Sequence, residues 1–167
     1  MRFDHQLLEH IPRLRRYARA LTGDAVRADD LVQDTLERAW RKQRLWQRGS
    51  NLRAWLFTVM HNVHANQQRA AAHGEEVDYM ALNLAGPDSS VEESVGVRDL
   101  LRGIAQLPLE MREVLLLVGL EQFSYKEAAK MLNIPLGTVM SRLSRARERL
   151  RAWQEARPGS AMLKVVR

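Results

Sequence analysis

FSYKEAAKMLNIPLGTVMSRLSRARERLR, residues 123–151, is the stretch on which the reading of this chain turns. Ser124 and Glu127 stand in the S-x-x-E order of a capping box, which opens a short helix over Tyr125–Leu132. Asn133-Ile134-Pro135-Leu136-Gly137 follows as a tight turn, with Asn133 where a left-handed residue is required. Thr138 opens a longer helix whose Val139, Leu143, Ala146 and Leu150 recur at three- and four-residue spacings. Ala129 supplies the small side chain that crossing helices need, and Val139 packs the second helix back on the first. That is helix-turn-helix geometry. The other side of the second helix carries Ser141, Arg142, Arg145, Arg147, Arg149 and Arg151. A guanidinium can fork onto a guanine edge or clamp a phosphate, and a hydroxyl can donate to either. Thr138, Ser141, Arg142 and Arg145 sit near the helix start and reach deepest into a groove. Arg149, further along, holds backbone. The bland alternatives are solubilising arginines on an ordinary helix, or a helix-turn-helix used to bind protein.

Outward from this motif the chain stays helical. Leu109–Val118 is intensely apolar, with Pro108 in its first turn, and a helix over 97–105 precedes it. In the first half, Leu7, Leu8, Ile11, Leu14, Tyr17, Ala18 and Leu21 mark a helix in which Pro12 asks for a kink or a late start. Thr22-Gly23-Asp24 ends it. Asp29 or Asp30 caps the next helix, through Leu31, Val32, Leu36, Ala39 and Trp40; Ser50 or Asn51 caps a third, from Leu52 to the alanines at 70–72. No stretch shows strand alternation. The fold class is all-α.

Charge divides the 167 residues into three blocks. Residues 1–73 and 100–167 each carry a net +6, and 74–99 carries −6. Gly86-Pro87-Asp88-Ser89-Ser90 is a loop signal inside the acidic block. The expected organisation is two small helical domains, 1–73 and 98–151, joined by an acidic linker over 74–97, with a short helical turn at 79–84 and a loose tail over 152–167. The linker is a solvated tether, or else an acidic strand that competes with nucleic acid for a basic channel. The chain has no cysteine, which excludes disulfides and thiolate chemistry. It has no signal peptide and no long uncharged apolar run, so the expected place is the cytoplasm.

Two further constellations lie in the first domain. Asp30, Gln33, Asp34 and Glu37 share one polar side of a helix, which suits a protein-docking face better than acid-base or metal chemistry, since no histidine or second acidic helix adjoins it. Trp46, Trp55, Phe57 and Asn62 interleave with Arg41, Arg44, Arg48 and Arg53, a mixture that can stack on and hold single-stranded nucleic acid. Trp55 falls at core spacing, so Trp46, in the loop before Gly49, is the aromatic expected to be exposed. His61, His64 and His73 form no metal site. No catalytic residue, metal, cofactor or small-molecule substrate is expected.

DDLVQDTLERAW, NLRAWLFTVMHNVHANQQR, LPLEMREVLLL and the helix-turn-helix, in this order and separation, resemble a bacterial RNA polymerase sigma factor of the extracytoplasmic-function group, over roughly residues 5–151. The resemblance implies that 1–73 is sigma region 2 and 98–151 sigma region 4. It implies that Asp30, Gln33, Asp34, Glu37 and Arg38 dock on the clamp helices of the polymerase's largest subunit, and that region 4 meets the flap tip. It places Trp46, Arg48, Ser50 and Asn51 on the loop that captures a flipped −10 base, and His61, Asn62 and Asn66 on the adjoining specificity helix. Thr138, Ser141, Arg142, Arg145 and Arg149 fall on the −35 helix. It further implies a stress or envelope-response regulon and an anti-sigma partner, often membrane-anchored. Four departures stand out: Trp46 where phenylalanine is common, Met140 where a basic residue is common, Gln67-Gln68 in a usually more basic end, and His73-Gly74 at the exit. The competing reading is a two-module repressor or activator, which leaves the 29–40 helix and the aromatic-cation loop unused.

Overall fold

Gly23, at φ 70°, lets the chain reverse after its first helix, and its N–H reaches back to the Arg19 carbonyl at 2.9 Å. In the computed structural model, which describes residues 2–73 and 95–157, that helix is α1, Phe3–Thr22. Pro12 neither delays nor ends it. The proline sits inside the helix on its exposed side, where the missing N–H costs least. Asp24, rather than Asp29 or Asp30, caps α2, Ala25–Arg41, by accepting from the Val26 N–H at 3.0 Å. Several aspartates compete for that role in the sequence, and the turn at Gly23 decides it. A 3₁₀ turn, Gln43–Leu45, leads into the loop before α3, Leu52–Ala72, which Asn51 caps by accepting from the Ala54 N–H at 3.2 Å. Leu14, Leu21, Leu31, Leu56 and Met60 are fully buried where the three helices meet.

The second domain runs α4 (Val95–Ala105), α5 (Leu109–Leu115), a π-helical turn (Leu116–Leu120), α6 (Tyr125–Leu132) and α7 (Leu136–Glu155). The capping box forms in both directions, Ser124 N–H to Glu127 at 3.0 Å and Glu127 N–H to Ser124 Oγ at 3.1 Å. Asn133 takes the left-handed conformation at φ 53°. In α6, Ala128 has no exposed surface and Ala129 is half-buried, its carbonyl accepting the Ile134 N–H of the turn. Helix α7 begins two residues before Thr138, because Pro135 supplies a ready-made first φ. Its stripe of Val139, Leu143, Ala146 and Leu150 is buried. It continues to Glu155, and Trp153 lies so close to Gly103 of α4 that a Cβ there would come within 2.7 Å of the indole.

The protein is therefore all-α, with two helical domains. Residues 74–94 and 158–167 lie outside the described residues, and with them the expected turn at 79–84 and most of the tail. The two cores meet. Tyr17 and Phe57 stand edge-to-face at 5.1 Å, and Phe57 in turn meets Phe123 of the second domain at 5.3 Å. Such pairs add about 0.5–1.5 kcal/mol each beyond their burial.

Candidate nucleic-acid and protein interfaces

Helix α2 buries Leu31, Val32, Thr35 and Ala39, which turns Asp30, Gln33, Asp34 and Glu37 to solvent. The expected polar face is there, with Arg38 half-buried at its edge. Glu37 pairs with Arg41 at 2.6 Å, and Gln67 of α3 donates to Asp34 at 2.8 Å. Between the two helices runs a groove of about 490 Å³ that brings Asp34, Glu37 and Arg38 together with Asn66. Trp40, at the end of the same helix, is 48% exposed.

The loop residues fall out differently from expectation. Trp46 is half-buried, packed against Phe3 at 5.6 Å, and its indole Nε1 is buried with no hydrogen-bond partner. It is not the free aromatic of its loop; the exposed apolar side chain beside it is the aliphatic Leu45, at 71%. The reason lies at the start of the chain, where α1 brings Phe3 against Trp40, Trp46 and Trp55. Beside this cluster opens a cavity of about 710 Å³ lined by Phe3, Gln6, Gln43, Arg44, Trp46 and Arg48. Arg48 and Ser50 are exposed, the Ser50 hydroxyl donating to the Gln47 carbonyl at 2.6 Å. The Asn51 side chain is engaged as the cap of α3.

Along α3 the candidate residues separate. Asn62 and Asn66 are exposed on one side. His61 lies toward the second domain, its Nδ1 3.3 Å from Glu113 Oε1 without hydrogen-bond alignment. His64, one turn on, is 2% exposed and 4.0 Å from the same oxygen, with Gln68 at 3.2 Å from its Nε2. Burial holds the His64 imidazole down to about 4; Arg27, His61 and Arg112 push the same way, and Glu113 opposes them. Burial likewise raises the Tyr17 hydroxyl well above its usual range, and Glu113 and Glu121 add to it.

On α7, Ser141, Arg145 and Arg149 are exposed and Thr138 is half-buried. Arg142 is half-buried and 3.6 Å from Glu110 of α5. The helix thus presents its polar residues outward as its spacing implies, one of them with an acidic neighbour.

The residues that reading the sequence missed are those between the domains: Arg16, Arg112, Glu113 and Glu121. Glu121 has a fully buried side chain, 3.2 Å from Arg16 and 3.7 Å from Arg53. The one signal for it was a lone carboxylate between the apolar run 114–118 and Phe123. Among the described residues, no group of three or more His, Asp or Glu is placed to hold a metal ion, and no helix is long and apolar enough to cross a membrane.

Comparison with known proteins adds to this geometry. Residues 7–61 match the family described as the Sigma2 domain of PhyR, and 98–150 match Sigma-70, region 4. The chain is 37% identical to the ECF RNA polymerase sigma factor EcfG of Rhodopseudomonas palustris, over 87% of this chain and 81% of that one. It is 37% identical to the ECF RNA polymerase sigma factor SigL of Mycobacterium tuberculosis, over 86% and 83%. Among solved structures it resembles the sigma factor RpoE of Bartonella quintana in complex with the anti-sigma factor NepR, with a TM-score of 0.79 and 35% identity over 93% of this chain and 98% of that one. It also resembles CnrH in complex with the cytosolic domain of CnrY, with a TM-score of 0.68 and 26% identity over 93% and 89%.

Proposed function

The chain belongs to the extracytoplasmic-function sigma factors of RNA polymerase, and on that basis we propose that its exposed faces divide promoter recognition between them. It is a non-catalytic specificity subunit, and three of its faces serve different partners. The solvent side of α2, with Asp30, Gln33, Asp34, Glu37 and Arg38, docks on the clamp helices of the polymerase's largest subunit. Arg48, Ser50, Asn62 and Asn66 hold the −10 non-template strand, with Asn51 setting the start of α3 and His61 joining when it is released. The cavity beside Trp46 receives an unstacked base; pulling one out costs a few kcal/mol, and stacking on an aromatic returns about 1–3 kcal/mol. Thr138, Ser141, Arg142, Arg145 and Arg149 bind the −35 element, and region 4 meets the flap tip.

The observation that carries this reading is α7: its apolar stripe is buried and Ser141, Arg145 and Arg149 face outward behind a formed helix-turn-helix turn. The solved relatives bound to anti-sigma factors support a protein of that class as the regulator of this chain, one that stays in the cytoplasm or is tethered at the inner membrane and releases it under stress.

The test is promoter-specific run-off transcription with purified core polymerase on duplex and pre-melted templates. The wild-type chain should restore initiation, which a repressor would not. Trp46→Ala should lower open-complex yield far more on duplex than on pre-melted DNA. Because Trp46 also packs on Phe3, a thermal melt of the free mutant belongs beside it. Equal losses on both templates would remove Trp46 from base capture.

A further inference from the structure

Helix α7 leaves two large apolar side chains uncovered in its first two turns. Leu136 is 40% exposed and Met140, one turn on, is 51% exposed. We propose that Met140 is a specificity-determining residue: it reads the −35 element through the 5-methyl group of a thymine in the major groove. The proposal rests on the −35 role given to α7 above, and adds to it a residue and the base that residue selects.

The placement comes from helical winding. Successive residues turn by about 100°. With Val139, Leu143, Ala146 and Leu150 buried in the domain, Ser141 points directly away from them. Met140 and Ser144 lie along one flank of that outer side, and Arg145 lies along the other. Met140 belongs to the start of the helix, the part of a recognition helix that reaches base edges, whereas later residues meet backbone. Gly137, next to Met140 on the helix surface, has an ordinary backbone φ and no atom within 4 Å of where a Cβ would stand. Nothing in the domain calls for glycine there, and glycine is a poor helix former. Its lack of a side chain keeps the flank low, so a groove can come close to Met140.

The chemistry of methionine selects the base. A thioether carries no charge and is at most a weak acceptor, so it gains little from a phosphate, an amino group or a ring nitrogen. In the major groove the apolar feature that distinguishes one base from the rest is the thymine methyl. An unbranched, polarizable side chain follows such an uneven surface well. Two apolar side chains set among serines and arginines are too few for the core of a protein interface, but they match one or two methyl groups. The arginines beside them complement phosphate. A basic residue at this position, common in the family, would add a salt-dependent grip; Met140 exchanges it for a contact that depends on sequence.

The probe is a −35 duplex selected from a randomised pool by the full wild-type chain, with each thymine replaced in turn by deoxyuridine, which deletes the methyl group alone. At one position, or at two adjacent ones, the wild type should bind about fourfold more weakly, the worth of one buried carbon. Met140→Ala should bind the thymine and uracil duplexes equally there, and Met140→Leu should keep most of the difference. Met140→Arg should lose the difference and steepen the salt slope by about one. Arg145→Ala should weaken binding yet still respond to the methyl. Thermal melts of the Met140 variants should match the wild type, since the side chain is exposed. A wild type that selects a sequence but ignores every thymine methyl would overturn the contact alone, as would a Met140→Ala chain that still responds. Loss of affinity for core polymerase in Met140→Ala, with duplex binding unchanged, would assign the residue to a protein surface and overturn the contact too. A wild type that selects no sequence at all would overturn the −35 reading, and the methyl contact with it.

Discussion

Helices α3 and α7 are of similar length, and both carry residues assigned to DNA, yet they dispose of them differently. On α7 the apolar stripe faces inward, and Ser141, Arg145 and Arg149 all face out. On α3 the candidates are divided: Asn62 and Asn66 are exposed, Asn51 is spent on the cap, and His61 is held against Glu113. A recognition helix packed on one side has one free face. A helix packed between a domain and its neighbour keeps a narrower one, on α3 the side of Asn62 and Asn66. Helical spacing therefore locates a binding face only where nothing beyond the domain competes for it.

The largest test of this contrast is Phe57→Ala. Phe57 joins the α3 core to the seam between the two domains, and its loss should cost about 3–5 kcal/mol of stability. In a thermal melt the first domain should lose stability strongly, while −35 duplex binding at a temperature below that melt should be unchanged. Equal loss of both functions would mean that α7 depends on α3 as much as α3 depends on the seam.

A second test uses pH. His64 is neutral in the fold, with its pKa at about 4 against 6.5 unfolded. Between those values the unfolded chain binds more protons than the folded one, so stability should be full above about pH 6.5 and fall as the pH drops toward 4. The loss amounts to about 3 kcal/mol at most. Denaturant melts across that window should show the slope, and His64→Gln should flatten it. An unchanged slope in the variant would assign the acid sensitivity elsewhere. No such window is expected from α7, which carries no histidine.

On α7 itself, Arg145→Ala should lose about 1–3 kcal/mol of discrimination at a single −35 position. Arg149→Ala should weaken binding on all sequences and reduce the salt slope by about one. Competition binding over a panel of −35 duplexes separates the two, and equal losses on every sequence would make both arginines backbone contacts. A smaller effect is expected at the head of the motif. Ser124→Ala removes half of a formed capping box and should cost about 1 kcal/mol. Chemical denaturation measures it, and no change would show that the turn is held by Phe123 and Asn133 instead.

Much of the fold was legible because its signals are local. The capping box at Ser124 and Glu127, the left-handed Asn133 and the stripe through Val139 and Leu150 act within a few residues of one another. The polar face of α2 was legible for the same reason. Contacts between distant segments were not. Trp46 reads as exposed because Phe3, which covers it, lies more than forty residues earlier. Asp24 was passed over as the cap of α2 because aspartates five and six residues later fit the spacing as well. His61 was assigned to DNA with no hint of Glu113. The seam depends on Glu121, whose neighbours in sequence say only that an apolar run has ended.

The π-helical turn over Leu116–Leu120 has a consequence for how this molecule can vary. A π turn holds one residue more than the α-helix it interrupts. Beyond it, Gln122 takes a left-handed φ of 59°, and Glu121 and Phe123 are turned into the other domain. Deleting one residue from 116–120 would restore ordinary helical winding and rotate the downstream chain by about 100°. Glu121 would then miss Arg16 and Arg53, and α6 and α7 would turn with it, so that Arg142 would lose Glu110 of α5. A single-codon change in length would therefore undo the coupling between the domains and move α7 off α5 at once, although no side chain proposed to read DNA is replaced.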